Sequence, residues 1–195
     1  VPTVFTLVTG SLIGAVAGYY GGKIDTILMR IVDVAVAFPF IVLLIAIIAM
    51  LGPGLRNMMI AISLVGWIAY ARIVRGEVLV ARNAEYVLAA KTLGYGNARI
   101  IFGHVLPNVI TPASVFSMAD AVLNILLGSA LSFLGLGPQA PAAEWGRMIQ
   151  EGRQFIISGE WWMATIPGLA IVVIGVSFSL IGDGLADLLR VGERT

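Results

Sequence analysis

Apolar residues in this chain come in long, nearly unbroken runs rather than in the alternating rhythm of water-facing strands or the one-sided rhythm of surface helices. Five of these runs approach the roughly 17–25 residues that a helix needs to cross a bilayer. They cover residues 3–20, 33–51, 58–74, 109–133 and 161–181. Gly10, Gly14 and Gly18 recur every fourth residue in the first run, leaving a stripe of bare backbone for a neighbouring helix. Pro39 should kink the second run, and Gly52-Pro53-Gly54 should turn the chain after it. The third carries Trp67 and Tyr70, and the fourth is polar for a span. The fifth opens on Trp161-Trp162, an aromatic pair suited to a membrane interface, and Pro167-Gly168 should interrupt it.

Between the third and fourth runs lies a different kind of sequence. Residues 83–108 mix Glu85, Lys91 and Arg99 with small residues (Ala89, Ala90, Gly94, Gly96) and close on Leu106-Pro107. A helix with this charge is expensive in hydrocarbon, where each charge costs several kcal/mol. Its apolar residues Tyr86, Val87, Leu88 and Leu93 still need a covering surface, and its alanines and glycines permit close approach. The pattern predicts a docking helix, lying on a membrane surface or on another protein.

Composition agrees. Of the 195 residues 59% are hydrophobic and 12% charged, about half the charge of a soluble domain. The chain therefore reads as all-α and polytopic, a single membrane domain over residues 1–195 whose first partner is the lipid bilayer. A net charge of +1 offers no basic patch for nucleic acid. The lack of cysteine removes disulfides and thiolate sites. Counting Lys and Arg gives the orientation. Nine of the twelve (Lys23, Arg30, Arg72, Arg75, Arg82, Lys91, Arg99, Arg190, Arg194) fall on one side, against Arg56, Arg147 and Arg153. Segment 83–108 and the C-terminus are then expected in the cytoplasm, with Val1 and the loop 135–160 outside. Five spans with an external start, and no signal peptide, point to a further N-terminal span missing from the sequence.

The residues offer little catalysis. Gly21-Gly22-Lys23 fails as a phosphate loop, because Ile24 follows the lysine and Ala17 stands where the first glycine belongs. His104 has no histidine or cysteine at metal-ligand spacing, so we expect no metal site and a structural or interfacial role for it. Asp120 is the informative charge. With Ser114, Ser117 and Asn124 it occupies one helical face in mid-span. Ser117, Asp120 and Asn124 could line a polar pathway or form an interhelical hydrogen-bond cluster, and the sequence leaves both open. Asp183 and Asp187 lie where they would cap the last span or pair with Arg190. Within 135–160, Trp145, Met148 and Ile149 suggest a short amphipathic helix, over an outer mouth or simply in the interface.

Ala89-Ala90, then Gly94, then His104-Val105 and Leu106-Pro107 resemble the EAA loop of membrane subunits of binding-protein-dependent ABC importers. AGYYGG (17–22), MRIVDVAVAFP (29–39), LGPGL (51–55) and ARIVRGEVL (71–79) are similar to its dipeptide/oligopeptide/nickel branch, as are ALSFLGLG (130–137), EWGRMIQEGRQ (144–154) and the elements PGLAI and GDGLAD within 167–187. The resemblance spans essentially the whole chain, in order. It implies a type I ABC importer transmembrane fold in the bacterial inner membrane, with one more N-terminal span. It also implies half of a pathway for peptides or a related small solute, shared with a second homologous permease subunit. Two cytoplasmic ATPases would hold the ATP and Mg, and an extracytoplasmic binding protein would supply the solute. This chain would itself hold no cofactor and be no enzyme. The resemblance implies ATPase docking by Glu85, Tyr86, Ala89, Ala90, Gly94, Leu106 and Pro107, and a binding-protein contact or outer gate at Trp145 and Arg147. Leu88 stands where the family carries its glutamate, so Glu85 would supply the charge one turn earlier. The tail from Leu188 to Val191 departs from the ending of that branch, so the resemblance assigns it no function. An ATP-independent secondary transporter or channel is the alternative; it would need coupling-ion acids or inverted repeats, and neither is visible.

Overall fold

The computed structural model describes residues 2–191, and the regular structure among them is entirely helical. In chain order the helices are α1 (Pro2–Tyr20), α2 (Gly22–Val36), α3 (Phe40–Leu51), α4 (Leu55–Ala81), α5 (Glu85–Thr92), α6 (Asn97–Ile100), a π turn (Ile101–Val105), α7 (Leu106–Phe133), α8 (Trp145–Gly152) and α9 (Trp162–Val191). Among the described residues α1, α4, the run Asn97–Phe133 and α9 are each long and apolar enough to cross a bilayer; the broken pair α2–α3 makes a fifth if it is one span. Val1 and residues 192–195 lie outside the described residues, as do the side chains of 189–191. The expected external position of Val1 and the pairing of Asp183 or Asp187 with Arg190 therefore fall outside what is described.

The boundaries differ from the sequence pattern in several places. The second run does not kink at Pro39 but breaks. α2 ends at Val36, and α3 restarts with Pro39 as its N-cap, because proline disfavours helical geometry in the residue before it. Segment 83–108 is not one helix, and its second half joins the fourth span continuously. α9 continues through Pro167 without a break. So near the helix start, proline removes one backbone bond and leaves the later turns intact. Finally, α4 is 27 residues long, or about 40 Å, well beyond the run at 58–74.

Packing separates the chain into two compact units. Among the described residues, one comprises 3–38 and 63–117, the other 39–62 and 118–191. In the first, α1 lies on α4 at backbone contact along the predicted glycine stripe. A Cβ built on Gly10 would sit 2.5 Å from the Tyr70 Cβ, one on Gly14 2.5 Å from the Ala71 carbonyl oxygen, and one on Gly18 2.9 Å from the Val78 Cβ. From the other side, Gly66 accepts the Thr6 methyl, 2.9 Å from a built Cβ. α2 is tied to α4 by charge. Arg75 grips Asp25 with two bonds of 2.5 and 2.7 Å, and Arg72 reaches Asp33 at 3.0 Å. Arg82 donates to the Gly18 carbonyl in the last turn of α1.

In the second unit the Gly52-Pro53-Gly54 turn forms as expected. Gly52 and Gly54 have φ of 88° and 140°, a left-handed geometry that favours glycine. The Asn57 amide donates to the Leu51 and Gly52 carbonyls, capping α3. α8 is wedged between α7 and α9. A Cβ on Gly146 would overlap the Ser129 backbone, and one on Gly152 would lie 2.7 Å from the Met163 carbonyl carbon.

Candidate functional site

Segment 83–108 folds as a helix–turn–helix within the first unit. Helix α5 starts at Glu85, whose charge suits the positive end of the helix dipole. The helix closes on Gly94 (φ 77°) in a Schellman motif: the Tyr95 N–H reaches the Ala90 carbonyl and the Gly94 N–H the Lys91 carbonyl. α6 follows at Asn97, then the π turn, in which the Leu106 N–H bonds to the Ile101 carbonyl five residues back. Pro107 accounts for that wide turn, since its ring would press on the Gly103 carbonyl in a tight one.

The segment has two faces. Val87, Ala90, Ile100, Ile101 and Val105 are buried in a core with Ala15, Tyr70, Val74 and Val78, which come from α1 and α4. The opposite face presents Glu85, Tyr86, Leu88, Ala89 and Leu93, with Leu93 72% exposed. The predicted docking residues divide accordingly. Glu85, Tyr86, Ala89, Gly94 and Pro107 are exposed. Ala90 is a correction: at 3% exposure it packs on the chain's own core, three residues on from Val87 and on the same side of the helix. Leu106 also packs partly against that core. Exposed Leu88, Leu93 and Phe102 are apolar residues that the docking set left out. Their spacing from Tyr86 and Ala89 on one helix face was the available signal for Leu93; Phe102 had none.

Charged and aromatic contacts finish the segment. Arg99 lies over the Tyr95 ring at 4.3 Å, and Tyr95 meets His104 at 5.6 Å. His104 Nδ1 lies 3.3 Å from the Arg99 carbonyl oxygen. Tyr19, at the end of α1, donates to Asn97 Oδ1 at 3.2 Å, and Lys91 Nζ sits 5.4 Å from the centre of its ring.

The predicted polar face of the fourth span is brought together only in part. Asn124 donates to Asp120 Oδ2 at 2.9 Å, one turn away. Ser117 is buried and donates to the Ser114 carbonyl of its own helix at 2.6 Å. In 135–160 the short helix appears as α8. Glu144 is its N-cap: one carboxylate oxygen accepts the Arg147 N–H at 3.0 Å, and the other lies 3.5 Å from the Ser129 hydroxyl. Trp145 and Arg147 are both half-buried, and Arg147 reaches Glu151 at 2.7 Å. Among the described residues no three His, Asp or Glu side chains gather as metal ligands.

Residues 10–191 match the family described as binding-protein-dependent transport system inner membrane component. The chain is 46% identical over 183 residues to a dipeptide transport system permease protein of Alkalihalophilus pseudofirmus, covering 94% of this chain and 60% of that protein. It is 44% identical over 180 residues to a probable D,D-dipeptide transport system permease protein of Escherichia coli, covering 92% and 60%. Against a glutathione transport system permease protein of Pectobacterium atrosepticum the identity is 40% over 183 residues, covering 94% and 60%. The chain thus spans about 60% of the length of these curated relatives.

Proposed function

The chain belongs to the family of inner-membrane components of binding-protein-dependent transport systems, and from that premise we propose that it forms half of the translocation pathway of a peptide importer. Its partners in this reading are a second homologous permease, two cytoplasmic ATPases that bind and hydrolyse the nucleotide, and an extracytoplasmic binding protein. Peptides are favoured as cargo because relatives at 40–46% identity carry dipeptide or glutathione transport in their names.

The observation that carries the coupling half of this reading is the two-faced packing of α5. Its inner face is sunk in the core shared with α1 and α4. Its outer face leaves Tyr86, Leu88 and Leu93 40%, 50% and 72% exposed beside Ala89 and an open Gly94. A protein surface laid on that stripe could push α5, which shares a buried core with the α1–α4 pair. The nine-to-three split of Lys and Arg supports a cytoplasmic position for this face and for the C-terminus.

The test is Ala89→Trp in the assembled transporter. Ala89 is exposed, so the bulk falls on the outer face and leaves the core alone. Overpacking a tight contact costs about 1–3 kcal/mol, which weakens ATPase association by roughly five- to 150-fold. Co-purification of the ATPase should fall by that amount in a correctly inserted protein. Undiminished association would refute the docking assignment.

A further inference from the structure

α5 and α6 are joined by the turn Leu93–Gly96, and their shared apolar core fixes how deep they sit better than how they are angled. Hydrophobic contacts are non-directional. A push on α5 could therefore be absorbed by rocking at the turn. The side chain that bridges this turn belongs to neither helix. Tyr19, on the last turn of α1, donates its hydroxyl proton to Asn97 Oδ1 at 3.2 Å, on the first residue of α6. The same ring lies 5.4 Å from Lys91 Nζ, in the last turn of α5, within reach of a cation–π attraction. One rigid aromatic thus holds both ends of the turn through two direction-dependent contacts.

What stands behind Tyr19 is stiff. α1 meets α4 at backbone distance along Gly10, Gly14 and Gly18, and Arg82 ties the Gly18 carbonyl next door at 3.0 Å. We propose that Tyr19 is a positioning residue for energy coupling, locking α5 and α6 to the end of α1 so that a push on the docking face moves the α1–α4 pair instead of flexing the turn. This rests on the docking reading above. Tyr19 is not part of the docking face and acts through Lys91 and Asn97.

The experiment uses the whole complex in nanodiscs and needs no knowledge of the solute. The chain has no cysteine, so Val4→Cys, 65% exposed near the far end of α1, reports α1 movement as an ATP-dependent change in thiol labelling rate. ATPase co-purification and ATP hydrolysis are measured on the same samples. Tyr19→Phe keeps the ring and its packing and removes only the hydroxyl. It should leave ATPase association at the parental level and shrink the ATP-dependent labelling change about two- to tenfold, the worth of one net hydrogen bond. Adding Asn97→Ala to Tyr19→Phe should reduce the signal no further, because both changes remove the same bond.

The proposal is overturned if Tyr19→Phe responds to ATP like the parent, if the double variant loses the two effects independently, or if position 4 shows no ATP-dependent change in the parent. It is also overturned if Tyr19→Phe sheds the ATPase as Ala89→Trp does, since Tyr19 would then merely hold the docking face in shape. Retention of the ATPase by Ala89→Trp is a separate result, and it refutes the docking reading itself.

Discussion

Replacing Gly14 with alanine tests the α1–α4 contact with the smallest possible probe. The added methyl would sit 2.5 Å from the Ala71 carbonyl oxygen, 3.0 Å from the Arg75 nitrogen and 3.2 Å from the Ala71 carbonyl carbon. Ordinary carbon contacts begin near 3.5 Å, so the helices must part locally by about 1 Å. Backbone cannot rotate aside as a side chain can. A gap of 0.5–1 Å forfeits about a quarter to a half of each dispersion contact, and overpacked sites lose about 1–3 kcal/mol. Alanine returns up to about 1 kcal/mol of helix propensity over glycine, leaving a net loss of up to about 2 kcal/mol. For a chain of this size that is a fall of up to about 8 °C in the unfolding midpoint. The control is Gly76→Ala in α4, where a Cβ meets nothing within 4 Å, so that only the propensity gain remains. Thermal unfolding in one detergent should separate the two variants by several degrees, Gly14→Ala below the parent and Gly76→Ala at or above it. Equal midpoints would mean that α1 and α4 do not touch along the glycine stripe.

Other substitutions probe other contacts. Arg75→Gln should destabilise by less than the roughly 3–5 kcal/mol of a fully buried broken pair, because the two side chains retain 32% and 17% exposure; Asp25→Asn added to it should cost little more, as thermal melts of the four-member cycle would show. Glu144→Ala removes the α8 N-cap and should lower stability by about 1 kcal/mol, readable as faster proteolysis within 135–160. Asp120→Asn should insert normally and alter solute uptake, whereas parental uptake by Asp120→Leu would remove Asp120 from the pathway. A photo-cross-linker at Trp145 should capture the binding protein, and products confined to the permease would exclude that contact.

The elements that announced themselves in the sequence are those governed by a single local rule. The glycine stripe, the Gly52-Pro53-Gly54 turn and the α8 helix each need only spacing or backbone preference, and each is where the pattern put it. What the sequence hid depends on partners far away in the chain. Nothing near Asp25 or Asp33 reveals that Arg75 and Arg72, 50 and 39 residues later, are their partners; the charge count treated those arginines as loop residues. Tyr19 was likewise invisible, since its role exists only once α1 and α6 meet across 78 residues. Ala90 shows a subtler limit. The motif treats Ala89 and Ala90 alike, and only the fold distinguishes which of the two adjacent alanines faces inward.

The wide turn at Ile101–Val105 also corrects an angle. Buried Ile101, Val105, Val109 and Ala113 recur every four residues, and in an α-helix four residues rotate by about 400°, overshooting a full circle by about 40° at each step. Three such steps would carry the stripe about a third of the way around the helix and turn Ala113 away from Ile101. The first step falls in the π turn, where five-residue bonding winds the chain more loosely and takes back that overshoot. The stripe therefore runs straighter than its spacing alone allows. Removing a single residue between 101 and 105 would tighten the turn and swing Ile100 and Ile101 off the core by about 100°, so the length of this short stretch is as constrained as its composition.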